Sequence, residues 1–292
     1  YAGQARVVEA QGKYLLPGVI DEHVHFREPG LTPKADIYSE SRAAVAGGIT
    51  SFMDMPNTIP QTTNLEALQW KIKRASETSL ANYAFYLGAT NDNLDEILKI
   101  DPKKIPGVKV FMGASTGNML VDDDKSLINI FSKAPCLIVA HCENEELIQR
   151  NLAYYQSIYG NDIPIECHSS IRSAEACLES TQQAIALAKE FSSRLHILHL
   201  STADETNLFT NTLPINQKRI TSEVCLHHLW FSDFDYKIKG KKIKWNPSIK
   251  TSTDKQALWE ALLDNRIDTI ATDHSPHTLQ EKQNPYLSCP SG

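Results

Sequence analysis

The run Pro17-Gly18-Val19-Ile20-Asp21-Glu22-His23-Val24-His25-Phe26 joins a β-branched, apolar stretch to two histidines spaced two residues apart. Side chains on a strand alternate between its two faces, so the imidazoles of His23 and His25 point to the same side. Histidine nitrogens in such an arrangement suit zinc and similar divalent metals. The run therefore predicts a strand that ends in a pair of candidate metal ligands.

Seven more β-rich segments follow this one and alternate with helical segments. The eight predicted strands cover residues 15–26, 50–55, 83–89, 108–112, 136–141, 195–200, 220–225 and 268–273. Cap residues and apolar spacing predict helices at 38–46, 65–77, 174–191 and 255–263. Such alternation favours an α/β fold with a parallel sheet, and eight units favour a closed (β/α)8 TIM barrel. We expect this barrel to occupy residues 15–292.

Composition and charge narrow the class of protein. The 292 residues include 29 Lys and Arg against 35 Asp and Glu, which gives a formal charge of −6. This balance argues against nucleic acid or an anionic membrane as the main partner. Apolar runs are too short for a membrane span, and no secretory leader is expected. The six cysteines include no Cys-x-x-Cys pair, so we expect reduced thiols and a cytoplasmic protein.

Polar residues recur at the ends of the predicted strands. Lys109 lies on the fourth strand, His141 ends the fifth, His199 ends the sixth and Asp273 ends the eighth. The chemistry of a TIM barrel is performed where its strands end, and so many polar groups would be costly to bury without a metal. A single strand histidine is more often a hydrogen-bonded core residue, whereas the paired histidines favour a metal site. By strict alternation, His196 should face away from His199.

The opening run resembles the start of the amidohydrolase superfamily, and its continuation Arg27-Glu28-Pro29-Gly30 resembles dihydroorotases of the long, bacterial-type class. Further similarity follows in family order in seven stretches: Gly47-Gly48-Ile49-Thr50, Met55-Pro56-Asn57-Thr58, Val108-Lys109-Val110-Phe111, His141-Cys142-Glu143, His196-Ile197-Leu198-His199-Leu200-Ser201-Thr202, Asn246-Pro247 and Ala271-Thr272-Asp273-His274-Ser275-Pro276-His277. The resemblance covers residues from about 8 to 292 and implies a metal-dependent-hydrolase-type barrel.

The resemblance also implies a set of metal ligands. His23, His25 and Asp273 would hold one divalent metal, His141 and His199 a second, and Lys109 would bridge the two. A protonated lysine has no lone pair, so the family carboxylates this amine with carbon dioxide to form a carbamate. Two alternatives stay open: one of the residues Asp122, Asp123 and Asp124 bridges the metals, or Lys109 pairs with an acid. Zinc is the expected metal, although manganese or cobalt also suits these ligands.

Substrate contacts distinguish the members of this superfamily. The planar guanidinium of Arg27 suits a carboxylate such as that of dihydroorotate, and Asn57 offers an amide. The resemblance adds Asn246 and His277. Hydantoinases are similar but lack the Arg-Glu-Pro-Gly run, and allantoinase is a closer alternative. A non-catalytic scaffold homologue is a further alternative, although every ligand position is filled. Many relatives have Asn-Pro-Pro-Leu-Arg where this chain has Asn246-Pro247-Ser248-Ile249-Lys250.

The implied reaction is reversible hydrolysis of the ring amide of (S)-dihydroorotate to N-carbamoyl-L-aspartate, a step of de novo pyrimidine biosynthesis. A metal-bound hydroxide would attack the carbonyl, and Asp273 would act as general base and then general acid. The partner is then a small molecule, and a homodimer is left open. Residues 1–14 are expected to be a remnant of a small β-sandwich domain. Only residues 278–292 follow the eighth predicted strand and the motif that ends at His277, so we expect a fragment of a longer enzyme.

Overall fold

The computed structural model describes residues 7–113 and 119–292, and within them nine strand segments form the inner wall of the fold. The strands are β1 (Val19–Val24), β2 (Ile49–Asp54), β3 (Asn82–Phe85), β4 (Leu87–Gly88), β5 (Val108–Phe111), β6 (Ile138–His141), β7 (Leu195–Ile197), β8 (Ile220–Cys225) and β9 (Thr269–Ala271).

The α-helices of the described residues surround these strands or lie in the loops beyond them. They are α1 (Ile37–Ala46), α2 (Leu65–Thr78), α3 (Leu94–Ile97), α4 (Asp124–Lys133), α5 (Glu145–Tyr159), α6 (His168–Ile171), α7 (Ala174–Glu190), α8 (Ala203–Thr206), α9 (Leu226–Trp230), α10 (Tyr236–Lys239), α11 (Ser252–Leu263) and α12 (Leu279–Gln283).

The strands pair in parallel and close into a barrel. One sheet runs β1-β2-β3 and the other β4-β5-β6-β7-β8-β9. β3 and β4 are the two halves of the third predicted strand, which is interrupted at Tyr86. The seam between the first and the last strand is closed where β1 packs against β9. There the backbone N–H of His25 donates to the carbonyl of His274 at 2.7 Å. The predicted eight-position TIM barrel is confirmed.

Several helices begin at a residue whose side chain caps them. The cap accepts a hydrogen bond from a backbone N–H group that the first turn leaves unpaired. Asn64 caps α2 and Ser173 caps α7, as the sequence predicts. The prediction for α11 is wrong by three residues at its start. Thr251 is the N-cap, and Asp254 completes a capping box from the third helical position.

The core lies between the strands and the helices. Apolar side chains on β5 and β6, such as Val108, Val110 and Ile138, are fully buried. This is expected for parallel strands that are covered on both faces. The apolar stripe predicted for α7 is buried, including Cys177, Thr181, Ala184, Ile185 and Ala188. The stripe therefore fixes the orientation of α7 on the barrel.

Several strands are shorter than predicted. β1 begins at Val19, and Leu15 is 96% exposed. β7 ends at Ile197 and β9 at Ala271, so His199 and Asp273 lie just beyond their strands, both with positive φ angles. Strict alternation therefore does not apply to these two residues, whose side chains turn toward the barrel mouth.

The ends of the chain bear on the domain assignment. Residues 1–6 lie outside the described residues, and residues 7–14 form no strand. The division into a sandwich remnant and a barrel stays a prediction.

On the outer wall of the barrel, the side chains of Ile20 on β1 and Ile270 on β9 are 56% and 45% exposed. None of the helices in the described residues has the length and apolar character needed to cross a bilayer.

Candidate metal and substrate site

A cavity of about 330 Å³ lies where the strands end. All ten residues that the sequence singles out line it: His23, His25, Arg27, Asn57, Lys109, His141, His199, Asn246, Asp273 and His277. They come from strands and loops distributed around the barrel. The fold therefore brings the predicted ligands and the predicted substrate contacts together in one place, as a TIM barrel does with residues at the carboxyl ends of its strands.

The first group of donor atoms consists of His23, His25 and Asp273. Oδ1 of Asp273 lies 3.2 Å from Nε2 of His23 and 3.0 Å from Nε2 of His25. The ligand atoms of the three residues all lie within 4.8 Å of one another. Two imidazole nitrogens that face one carboxylate oxygen are satisfied either by protons or by a cation between them. The donor set fits a divalent metal.

The two histidines of this group are held by partners on their other ring nitrogens. Nδ1 of His23 donates to Oε1 of Glu223 on β8 at 2.6 Å, and Nδ1 of His25 donates to Oδ1 of Asn57 at 2.7 Å. Such bonds fix the tautomer, because the proton on Nδ1 leaves the Nε2 lone pair to face Asp273. Asn57 thus has an orienting contact in addition to its place in the cavity wall.

The second group consists of His141 and His199. Nδ1 of His141 lies 2.9 Å from Nε2 of His199, and Nε2 of His141 donates to Oε2 of Glu143 at 2.9 Å. Arg172 binds the same oxygen of Glu143. The other nitrogen of His199, Nδ1, is buried without a hydrogen-bond partner among the described residues. Two facing imidazole nitrogens beside an unsatisfied one form a donor set that fits a second cation.

Lys109 lies on β5 between these groups and is 1% exposed. Burial lowers the pKa of its ammonium to about 7. Among the described residues no carboxylate lies within ion-pair distance of its Nζ, which contacts the ring of Phe111 at 4.4 Å. The acid partner of the open alternative is thus not found in this part of the chain. Asp122, Asp123 and Asp124 are exposed and are not among the residues of the cavity wall.

The charges of the site depend on one another. Burial alone would raise the pKa of the Asp273 carboxyl, but the imidazoles of His23 and His25 hold it well below its usual range. Burial disfavours the charged form of His23, but the carboxylates of Asp273 and Glu223 outweigh it and raise the pKa of its ring. This pocket thus attracts positive charge, which a metal supplies as readily as a proton.

A second set of polar side chains forms the outer part of the cavity. Nη2 of Arg27 donates to Oγ of Ser275 at 2.6 Å and lies 2.9 Å from Nε2 of His277, and its Nε donates to the carbonyl of Pro276 at 3.0 Å. The guanidinium is therefore held in one orientation toward the cavity. Oδ1 of Asn246 accepts a hydrogen bond from Ser291 at 2.9 Å.

The supporting residues Glu223, Glu143 and Arg172 were not predicted. A signal for Glu223 exists, because a buried strand that reads Ser222-Glu223-Val224-Cys225 carries one acid that must find a partner. The predicted alternation between His196 and His199 does not apply as stated, because β7 ends at Ile197. The side chain of His199 lines the cavity, whereas His196 is not among the cavity-lining residues and lies 3.5 Å from Oε2 of Glu223.

Comparisons with known proteins identify the family of this chain. A sequence profile described as Dihydro-orotase-like matches residues 12–204. A dihydroorotase from Methanosarcina acetivorans is 33% identical over 294 residues, which are 98% of this chain and 62% of that protein. A dihydroorotase from Bacillus subtilis is 34% identical over 98% of this chain and 66% of its own length. This chain therefore spans less than two thirds of the length of these relatives.

Solved structures show the same barrel. The L-hydantoinase (dihydropyrimidinase) from Arthrobacter aurescens superposes with a TM-score of 0.92 at 30% identity, over 100% of this chain and 66% of that one. The dihydropyrimidinase from Brevibacillus agri gives a TM-score of 0.86 at 25% identity, again over 100% of this chain and 66% of that one.

Proposed function

Because the chain belongs to the dihydro-orotase-like family of amidohydrolases, we propose that it hydrolyses, reversibly, the ring amide of (S)-dihydroorotate to N-carbamoyl-L-aspartate. In this proposal it is a metal-dependent cyclic amidohydrolase of pyrimidine biosynthesis. Dihydroorotate combines a cyclic amide with a carboxylate. A suitable site must therefore offer metal donors and an anion-binding group within the length of one small molecule.

The position of Arg27 carries the proposal. Its guanidinium lines the same cavity as both groups of histidines and is held by Ser275 and by the carbonyl of Pro276. A guanidinium fixed in this way binds a carboxylate with defined geometry and leaves little rotational freedom to be lost on binding. His277 and Asn246, on the same side of the cavity, are proposed to complete the contacts to the carboxylate and the ring.

The proposed metal ligands are His23, His25 and Asp273 for one cation and His141 and His199 for the other, with Lys109 between them. When bound, two divalent cations, which we propose to be zinc, would make a water molecule a better nucleophile near neutral pH and polarise the amide carbonyl. Lys109 would serve as a carbamate formed with carbon dioxide. The low pKa of about 7 supports this role, because only the uncharged amine reacts with carbon dioxide.

Asp273 is the proposed proton carrier. The neighbouring imidazoles lower the pKa of its carboxyl, so the carboxylate is ionised and has an unprotonated oxygen to offer. It would take the proton from the attacking water and deliver it to the ring nitrogen as the amide bond breaks. Its position between two ordered histidines would hold the accepting oxygen in one place during this transfer.

Dihydroorotate is favoured over hydantoin or allantoin because of Arg27. Neither of those neutral ring systems offers the carboxylate that this guanidinium suits. The superposition on hydantoinase structures nevertheless makes a hydantoinase-like activity the second candidate. We also propose a catalytic barrel at residues 15–292 with a sandwich remnant at residues 1–14, a cytoplasmic location and a homodimer, the last to be measured by sedimentation.

The test is a ring-opening assay on the chain after metal reconstitution with zinc and bicarbonate. Dihydroorotate, hydantoin and allantoin are offered separately at equal concentration, and the metal content is measured on the same sample. The proposal expects turnover of dihydroorotate that is lost on chelation and returns on adding zinc. Faster turnover of hydantoin or allantoin would replace the proposed substrate. A metal-loaded chain that is inert toward all three would support the non-catalytic alternative.

A further inference from the structure

The short helix α6 ends at Ile171 and is followed directly by Arg172, its C-cap residue. The guanidinium of Arg172 binds Oε2 of Glu143, the same oxygen that accepts from Nε2 of His141. Glu143 is fully buried, and the side chain of Arg172 is only 14% exposed. A chain of charged contacts therefore runs from α6 through Glu143 to one of the proposed metal ligands.

The backbone of the same residue contacts a different part of the cavity. The carbonyl of Arg172 accepts a hydrogen bond from Oγ of Ser248 at 2.9 Å. Ser248 is fully buried, and its Oγ accepts in turn from Nζ of Lys250 at 2.8 Å. Ser248 lies two residues after Asn246, the proposed substrate contact. A side chain without a hydroxyl at this position could make neither bond.

The first residue of α6 makes a parallel contact. Nε2 of His168 lies 2.7 Å from the carbonyl of Trp245, and its Nδ1 lies 2.8 Å from the hydroxyl of Tyr286. Burial lowers the pKa of His168 well below its usual value, which favours the neutral ring. A neutral ring that donates from Nε2 to the carbonyl has Nδ1 left to accept from Tyr286. The segment 245–248 is therefore held at one end by the first residue of α6 and at the other by Arg172, which follows α6.

We propose that Arg172 is a positioning residue that acts on both halves of the site: its guanidinium orients His141 through Glu143, and its backbone carbonyl orients the Asn246 segment through Ser248. This inference rests on the proposed function for its substrate half. It assigns no contact with substrate to Arg172.

The effect of Arg172 on the metal site depends on which nitrogen of His141 carries the proton. We call this part of the proposal the metal half, and the effect on the Asn246 segment the substrate half. A carboxylate on Nε2 fixes the proton there, so the Nδ1 lone pair faces His199 and the space between the two groups. Arg172 restrains that carboxylate through Nη1, which binds the same oxygen that accepts from the imidazole. Without the guanidinium, the Glu143 carboxylate loses this restraint, and the orientation of His141 is no longer fixed.

Two variants separate the contact of the Arg172 guanidinium with Glu143 from the contact of its backbone carbonyl with Ser248. Arg172→Lys keeps a positive charge but loses the planar guanidinium, and Ser248→Ala removes the hydroxyl while Arg172 stays. Matched controls are Arg150→Lys on the exposed face of α5 and Ser132→Ala on α4, neither of which lines the cavity. If Arg172→Lys does not fold, as judged by circular dichroism, the double variant Glu143→Gln, Arg172→Gln removes both charges together and takes its place.

Zinc content is titrated against a chelator, and KM and kcat for dihydroorotate are measured on zinc-loaded samples. For Arg172→Lys, or for the double variant, we expect one of the two zinc ions to bind about 10- to 100-fold more weakly and the other to be unaffected. For Ser248→Ala we expect both zinc ions to be retained and KM to rise about 2- to 10-fold with kcat little changed. The controls should match the unaltered chain in every measurement.

Unchanged zinc affinity in the Arg172 variants would overturn the metal half, and an unchanged KM in Ser248→Ala would overturn the substrate half. A chain that binds two zinc ions but does not act on dihydroorotate removes the proposed function and the substrate half, while the zinc titration still decides the metal half. An unaltered chain that binds fewer than two zinc ions overturns the metal half directly.

Discussion

Oδ1 of Asp273 lies 3.2 Å from Nε2 of His23 and 3.0 Å from Nε2 of His25, so a residue just beyond the last strand completes a group of donors that begins on the first. If both Nε2 atoms carry lone pairs, a cation between them and the carboxylate oxygen is needed to offset their repulsion. The relationship assigns Asp273 two roles in the proposed reaction, as a ligand and as a proton carrier, and a conservative substitution separates them.

Replacing Asp273 by Asn keeps the shape and one ligand oxygen but removes the basic carboxylate. We expect kcat for dihydroorotate to fall about 10²- to 10⁴-fold, the range associated with loss of a general acid–base group. Metal content is measured in parallel, because a fall in rate at unchanged occupancy isolates the proton role. His274→Gln is the control, since that neighbouring side chain pairs with Glu40 near the surface. Activity within tenfold of the unaltered chain at full occupancy would contradict the role.

Replacing Arg27 by Met removes the proposed carboxylate contact and puts an unbranched, apolar side chain in its place. A charge-assisted hydrogen bond is worth about 1.5–3 kcal/mol, so KM for dihydroorotate should rise about 10- to 100-fold. The control is Arg42→Met, because Arg42 lies against Tyr38 on α1 and does not line the cavity. If KM is unchanged, Arg27 is not a substrate contact, and the preference for dihydroorotate over hydantoin loses its support.

Replacing Lys109 by Ala removes the group proposed to bridge the metals. We expect the variant to lose metal, and a short carboxylic acid such as acetate to restore part of it by supplying the missing carboxylate oxygens. The measurement is metal content at fixed zinc, with and without acetate. Full loading of Lys109→Ala without acetate would contradict the carbamate.

The same residue gives a dependence on pH. Because burial lowers the pKa of Lys109 to about 7, the charged, unreactive form predominates below that pH and the free amine above it. In metal-free protein at constant dissolved carbon dioxide, carbamate should therefore increase as the pH is raised from 6 to 8. Carbon-13 NMR with labelled carbon dioxide detects it, and Lys109→Met supplies the blank. A signal that is independent of pH, or equal in the blank, would argue against this amine as the site.

Stability provides a further prediction, at a buried ion pair beneath the site. Nζ of Lys71 on α2 contacts Oδ2 of Asp54, and Oδ1 of Asp54 accepts from the backbone N–H of Phe26 at 2.7 Å. Both charged side chains are completely buried. Lys71→Met leaves the carboxylate without its cation, so the free energy of unfolding should fall by about 3–5 kcal/mol. Urea unfolding measures it, with the exposed Lys73→Met as control; a loss below about 1 kcal/mol would show that the carboxylate finds another partner.

The barrel and the polar residues at its strand ends were predicted from local patterns, whereas Asn246 and His277 were expected only from the family resemblance. Strand alternation aligns His23 with His25, and the rule that strands of a parallel barrel end on one face brings His141 and Lys109 to the same rim. The residues that support them were not predicted. Glu223 and His23 lie on strands far apart in sequence, and their contact depends on how β8 and β1 are staggered around the barrel, which local pattern does not reveal.

Backbone conformation accounts for the other differences. His199 and Asp273 have positive φ angles, which local propensity disfavours for residues other than glycine. The predicted strands therefore continued through both positions, and alternation assigned His196 and His199 to opposite faces. The interruption at Tyr86 was missed for a similar reason. Its hydroxyl bonds to the carbonyl of Glu22 across the barrel, a contact that depends on tertiary structure.

The seam between β1 and β9 means that the first donor group is built from both ends of the barrel. His23 lies on the first strand of the barrel, His25 just beyond it, and Asp273 just beyond the last strand. This group of donors therefore cannot assemble until β9 has docked beside β1. A metal held there would link the two strands across the seam, and its binding would report that the barrel is closed.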